Sequence, residues 1–163
     1  MKKRHLFLSL FVLLSSATFA QIPATTNINK AGYPKIMPDH SIEFRIKAPE
    51  AQKVQVELGR RYDMVKSADG VWTVTTQPQG AGIHYYSLII DGVSVADPSS
   101  ESFFGCSRMS SCVEVPYAKD DTRFEVRNVA HGCVRTVRYY SSVTGDYRMM
   151  YVYTPAEYDK NPN

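Results

Sequence analysis

The sequence predicts an all-β fold. Three observations carry that expectation. Apolar and polar residues alternate with a period of two in several short runs, turn signals recur at short, regular intervals, and no stretch shows strong helical amphipathicity. The abundance of Val, Ile and Tyr and a 12% aromatic content point the same way.

The runs follow in order. Ile42, Phe44 and Ile46 alternate with Ser41, Glu43, Arg45 and Lys47, which marks a half-buried strand. Ala48-Pro49-Glu50-Ala51 breaks it. Val54, Val56 and Leu58 alternate again, and Gly59 ends the run. Met64 and Val65 form a brief strand before the turn at Asp69-Gly70. Residues 71–76 are rich in β-branched side chains and hold the single tryptophan, Trp72. A Gln/Pro/Gly loop follows. Residues 84–90 form a strong strand, Asp91-Gly92 is a two-residue hairpin signal, and residues 93–96 are the return strand. Asp97-Pro98-Ser99-Ser100 stops it. Residues 112–115 form a last strand, closed by Pro116. About seven short strands with turns every 8–12 residues are the pattern of an immunoglobulin-like β-sandwich.

The ends read differently. Residues 1–20 have the form of a secretory signal peptide: Lys2, Lys3 and Arg4, an apolar run over residues 6–14, then small residues up to Ala20. The apolar run is short for a bilayer span, which takes roughly 20 residues. The expectation is an exported chain, periplasmic or extracellular, with no membrane attachment after cleavage. Residues 21–40, with Pro23, Gly32, Pro34 and Pro38, read as an extended lead-in. Residues 41–117 are assigned to the sandwich. Residues 118–130 are charged and read as a linker with some strand in it. Residues 131–163 hold a further hairpin, with strands over 133–140 and 147–153 joined by residues 141–146.

Charge excludes some partners. The first twenty residues contain three of the 19 basic residues and none of the 16 acidic ones, so the mature part is balanced. A nucleic-acid or anionic-membrane partner would call for a clustered basic face. The odd cysteine count leaves at least one thiol without a partner in the chain. Cys106 and Cys112 flank a short loop and either close on each other or stay as buried free thiols.

No catalytic constellation stands out. Gly92-Val93-Ser94-Val95-Ala96 approaches the G-x-S-x-G elbow but lacks its last glycine and sits in a hairpin return strand. His131-Gly132 precedes a strand and reads as a turn. The four histidines share no metal-ligand spacing, and no phosphate-binding glycine loop is present. No catalytic residue, metal or cofactor is therefore assigned. Glycan binding remains as a site-level reading, because pyranose faces pack on aromatic rings. Tyr62, Tyr85 and Tyr86 are the candidates. Trp72 is claimed first by the core, and Tyr85 and Tyr86, being adjacent, point to opposite faces.

Several motifs also carry a resemblance. They are residues 69–75 (DGVWTVT), residues 82–92 (GIHYYSLIIDG), Ala96-Asp97-Pro98-Ser99-Ser100 and Cys112-Val113-Glu114-Val115-Pro116. Together they resemble the early-set immunoglobulin-like domain at the N-terminus of secreted bacterial carbohydrate esterases, a relative of the glycogen-binding type of carbohydrate-binding module. His131-Gly132, Tyr139-Tyr140-Ser141, Thr144-Gly145, Arg148 and Val152-Tyr153-Thr154-Pro155 resemble the opening hairpin of the esterase D-like domain, an α/β-hydrolase shared by feruloyl and acetyl xylan esterases. The resemblance covers nearly all of residues 28–163. It implies a non-catalytic accessory module in front of a serine esterase acting on ester-decorated, xylan-type plant polysaccharide. The esterase domain would then be its intramolecular partner, and the nucleophile, acid and histidine would lie beyond Asn163. Cys106 and Cys112 depart from the family pattern. The alternative reading is a free-standing carbohydrate-binding module.

Overall fold

The computed structural model describes residues 20–105 and 108–160, so the expected signal peptide lies almost wholly outside the described residues. The described residues form strands and turns with no helix. They divide into two compact units, the first ending at Asp120 and the second running from Asp121.

In the first unit the strands are β1 (Ile22–Pro23), β2 (Lys35–Ile36), β3 (Ile42–Lys47), β4 (Val54–Leu58), β5 (Arg60–Asp63), β6 (Val65–Lys66), β7 (Val71–Thr75), β8 (Gly82–Ile90), β9 (Val93–Val95), β10 (Ser102–Gly105) and β11 (Arg108–Val115). They make two antiparallel sheets. One has the order β1-β2-β3-β7-β6; the other has β10-β11-β8-β4-β5, with β9 paired to β8.

The alternation seen in sequence becomes burial. Ile42 and Phe44 of β3 are fully buried, as are Val54 and Val56 of β4. These side chains meet Trp72, Tyr86, Leu88, Val113 and Val115 in one core to which both sheets contribute. The Phe44 and Tyr86 rings meet edge-to-face at 4.9 Å, a geometry that adds about 0.5–1.5 kcal/mol beyond area burial. Trp72 is 6% exposed, and its Nε1 donates to the Ala48 carbonyl at 2.9 Å.

Turn chemistry punctuates the strands where expected. Asp91 and Gly92 both take positive φ (48° and 88°), the conformation a tight β8–β9 hairpin requires. Pro116 follows β11 immediately and cannot donate to a ladder.

Four features differ from the sequence reading. Residues 21–40 are no separate lead-in: β1 and β2 extend the first sheet from β3, and Ala24 and Ile36 belong to the core. Pro23 is tolerated because β1 is the outermost strand. Strand β5 continues directly from β4 through Gly59 (φ 64°), where the sequence suggested only an ending. Strand β10 pairs with β11, which itself starts four residues earlier than the pattern of residues 112–115 indicated. The linker contains turns but no strand over residues 116–132.

In the second unit β12 (Cys133–Ser141) and β13 (Asp146–Thr154) pair antiparallel along their whole length, from Cys133↔Thr154 to Ser141↔Asp146. Pro155 follows β13 at once.

Candidate functional site

The site with the most converging chemistry lies on the outer face of the larger sheet in the first unit. Strand pairing builds it. Glu57 of β4 stands opposite Arg61 of β5 on one side and Ser87 of β8 on the other. The register that sets Ser111 against Tyr86 carries Ser110 of β11 to the level of Ser87. Side chains alternate between faces, so Glu57, Arg61, Ser87 and Ser110 share the face opposite to Val56, Tyr86 and Leu88.

The result is a groove of about 300 Å³ lined by Glu57, Gly59, Tyr85, Ser87, Arg108 and Ser110, with Tyr86 also contributing. Ser87 and Ser110 are buried and form its floor. Tyr85 is 49% exposed and stands two residues along β8 from Ser87. Arg108 stands two residues along β11 from Ser110, and because the strands run antiparallel it lies on the other side of the floor.

Charge is concentrated at one wall. Arg61 Nε donates to Glu57 Oε1 at 3.1 Å, and Arg108 Nη2 donates to Glu57 Oε2 at 3.3 Å. The hydrogen bond from Arg61, reinforced by Arg108, holds the Glu57 carboxyl below the usual carboxylate range. One carboxylate serves two guanidiniums, so the wall carries a surplus positive charge. Exposed ion pairs of this kind add little to stability, so stability alone is a weak reason for the cluster.

An aromatic ring, two hydroxyls and a charged wall around a concave floor suit a polar, ring-shaped ligand. Among the lining residues there is no nucleophile–base pair.

The sequence candidates end in different places. Tyr85 lines the groove with an accessible ring. Tyr86 must be corrected as a glycan contact: it is 1% exposed, because its position on β8 faces the core, and its hydroxyl donates to the buried Asp97 Oδ2 at 2.8 Å. Burial, then the Asp97 charge, raises its pKa. Tyr62 pairs with Val56 and so sits on the inner face, packed against the core, with the Arg60 guanidinium 5.1 Å from its ring. The three tyrosines therefore form no common platform. Cys112 is a buried free thiol, and Cys106, the other half of the considered pair, lies outside the described residues. Cys133 is an exposed free thiol. Ser94 of the near-elbow motif pairs with Ile89 in the middle of the β8–β9 hairpin. His84 is half-buried, with Nε2 2.7 Å from the Gly80 carbonyl. His131 Nε2 is 2.8 Å from the Arg127 carbonyl. No cluster of three or more metal-ligating side chains occurs among the described residues.

Sequence reasoning missed Glu57, Arg61 and Arg108. The available signal was weak: each is an outward-pointing charge in a strand, and 51 residues separate Glu57 from Arg108.

Comparison with known proteins adds a relative. The chain is 37% identical over 145 residues to an endo-1,4-beta-xylanase/feruloyl esterase of Xylanibacter ruminicola; the match covers 85% of this chain and 20% of that protein. The chain thus spans about a fifth of the length of the curated relative it matches, and over that stretch it is related in sequence to a protein that carries an esterase. No protein-family profile matches the chain. Among solved structures, the enterobactin esterase of Shigella flexneri superposes with a TM-score of 0.49 at 16% identity, over 68% of this chain and 39% of that one. A putative alpha amylase of Salmonella typhimurium superposes with a TM-score of 0.41 at 27% identity, over 54% and 16%.

Proposed function

We propose that this chain is the N-terminal accessory region of an exported carbohydrate esterase acting on ester-decorated, xylan-type polysaccharide. In this reading the first unit is an early-set immunoglobulin-like module that holds glycan at the Tyr85 groove. The second unit is the opening hairpin of an α/β-hydrolase esterase domain, and ester cleavage belongs to that domain. The observation that carries the reading is the 37% identity to the xylanase/feruloyl esterase across 85% of this chain. The groove supports it independently, because an accessible tyrosine beside buried hydroxyls is chemistry that sugars use. The pattern of residues 1–20 supports export.

Affinity electrophoresis in gels containing soluble xylan tests the reading. The purified chain is expected to be retarded by xylan, and Tyr85→Ala is expected to lose most of that retardation while keeping its circular dichroism spectrum. Losing a stacking ring of this kind removes on the order of 1 kcal/mol or more, about fivefold in affinity. An unretarded wild-type chain, or turnover of methyl ferulate that one serine substitution abolishes, would overturn it.

A further inference from the structure

Glu57 takes one hydrogen bond from Arg61 and one from Arg108. Each guanidinium has five N–H donors and here commits one of them to Glu57. Both arginine side chains remain more than half exposed, at 63% and 54%. The carboxylate cancels one of the two cations and leaves the other.

The groups around them do not remove this surplus. Gln55 and Asp63 form the next pair on the same face, and Asp63 is already bound by Lys53 at 3.6 Å and by the Gln55 amide at 2.6 Å. Glu114 lies at the opposite end, paired with Ile83 beyond Tyr85 in the β8–β11 register. The groove is therefore polarised: an aromatic ring on one side of the serine floor, an incompletely neutralised guanidinium wall on the other.

We infer that the groove selects a sugar that bears a carboxylate, a uronic acid residue of the polysaccharide, with its ring against Tyr85 and its carboxylate on the free donors of Arg108 and Arg61. This rests on the glycan-binding reading above and deepens it. A guanidinium fork matches a planar carboxylate with two parallel hydrogen bonds, a fit that a neutral hydroxymethyl group does not offer. The buried Ser87 and Ser110 face ring hydroxyls rather than an apolar acid. Because the arginines are exposed, the selectivity weakens as salt screens them.

Isothermal titration of the whole chain with three xylo-oligosaccharides of equal length provides the test. One carries glucuronic acid, one is the same compound with its carboxyl reduced to an alcohol, and one is unsubstituted. The acidic compound is expected to bind roughly tenfold tighter than its reduced form, the step a charge-assisted hydrogen bond supplies. That ratio is expected to shrink toward one in Arg108→Gln and at high salt, and Arg61→Gln provides a second variant should the first fold poorly. Equal binding of all three compounds would overturn the inference and leave the glycan reading standing. Binding of none would overturn both. A persistent acid preference in both arginine variants would also overturn the assignment to this groove.

Discussion

Trp72 is held by its ring in the core and by its nitrogen on the Ala48 carbonyl. Replacing it with alanine removes the largest ring from the contact between sheets and one of the two hydrogen bonds to that carbonyl, which keeps the Ala51 N–H. The expected cost is about 3–5 kcal/mol, readable as a lowered midpoint in urea; an unchanged midpoint would contradict the core assignment. The cysteines separate on the same physical grounds. Burial, with smaller contributions from the Glu101 and Glu114 carboxylates, pushes the Cys112 thiol up to about 11. Cys133 is lowered instead, by its hydrogen bond to Thr154 and by Arg135. Native protein treated with iodoacetamide at pH 8 is therefore expected to label at Cys133 well before Cys112, as mass mapping of the peptides would reveal. The pH dependence has a definite sign. A thiol ionises near pH 8.5 in the unfolded chain, and Cys112 does so only near 11 in the fold. Its contribution is complete below about pH 8.5 and is lost between there and about 11 as the unfolded state is favoured. Cys112→Ala should flatten that part of the stability–pH curve; an unaltered slope would mean that other groups dominate it.

The turn before β7 shows what an element boundary demands of one residue. Gly70 has φ 78°, and a Cβ built there would meet the Pro49 Cβ at 2.6 Å. Backbone strain and the clash act together, so Gly70→Ala is expected to destabilise the first unit by roughly 1–3 kcal/mol, seen as a lower thermal midpoint. A neutral substitution would imply that the Pro49 turn yields freely. This turn was legible, as were β3, β4 and the Asp91-Gly92 hairpin, because period-two alternation and turn residues are local signals. The first sheet's edge was not legible. β1 pairs with β2, and β2 with β3, through only two residues each, and prolines mask such short contacts. Strand β5 reads as Arg60-Arg61-Tyr62-Asp63, a charged run whose extension depends on the neighbouring β4. The candidate site divided in the same way. The opposite orientation of Tyr85 and Tyr86 followed from their adjacency, but which of them faced the core depended on the register of β8 with β4 and β11. The Glu57–Arg108 wall exists only because β4 and β11 flank β8.

On the scale of the molecule, the core of the first unit draws on residues between Ala24 and Val115. The second unit is one hairpin with two unlike faces. Val134 and Tyr140 of β12 share a face with Tyr147, Met149, Tyr151 and Tyr153 of β13, all of them exposed, and Thr136 and Arg138 are the polar residues on it. The other face mixes Val137, Tyr139 and Met150 with Arg135 and Arg148. A two-stranded sheet is marginal in water, and free strand edges recruit other chains. Under the proposed function these faces belong against the rest of an esterase domain. In this chain they are expected to be the least protected part of the fold and the source of any aggregation. Deleting residues 131–163 should therefore shift the thermal midpoint of the first unit by less than about 4 °C, the equivalent of about 1 kcal/mol for a domain of this size. It should also raise the concentration at which the protein stays monomeric. Hydrogen exchange on the whole chain supplies the complementary reading: amides of β12 and β13 should exchange much faster than those of β3, β4 and β8. Slow exchange throughout β12 and β13 in a monomer, or loss of the first unit's cooperative transition on deletion, would mean that the hairpin is part of the first folding unit and that the division after Asp120 does not describe how the chain folds.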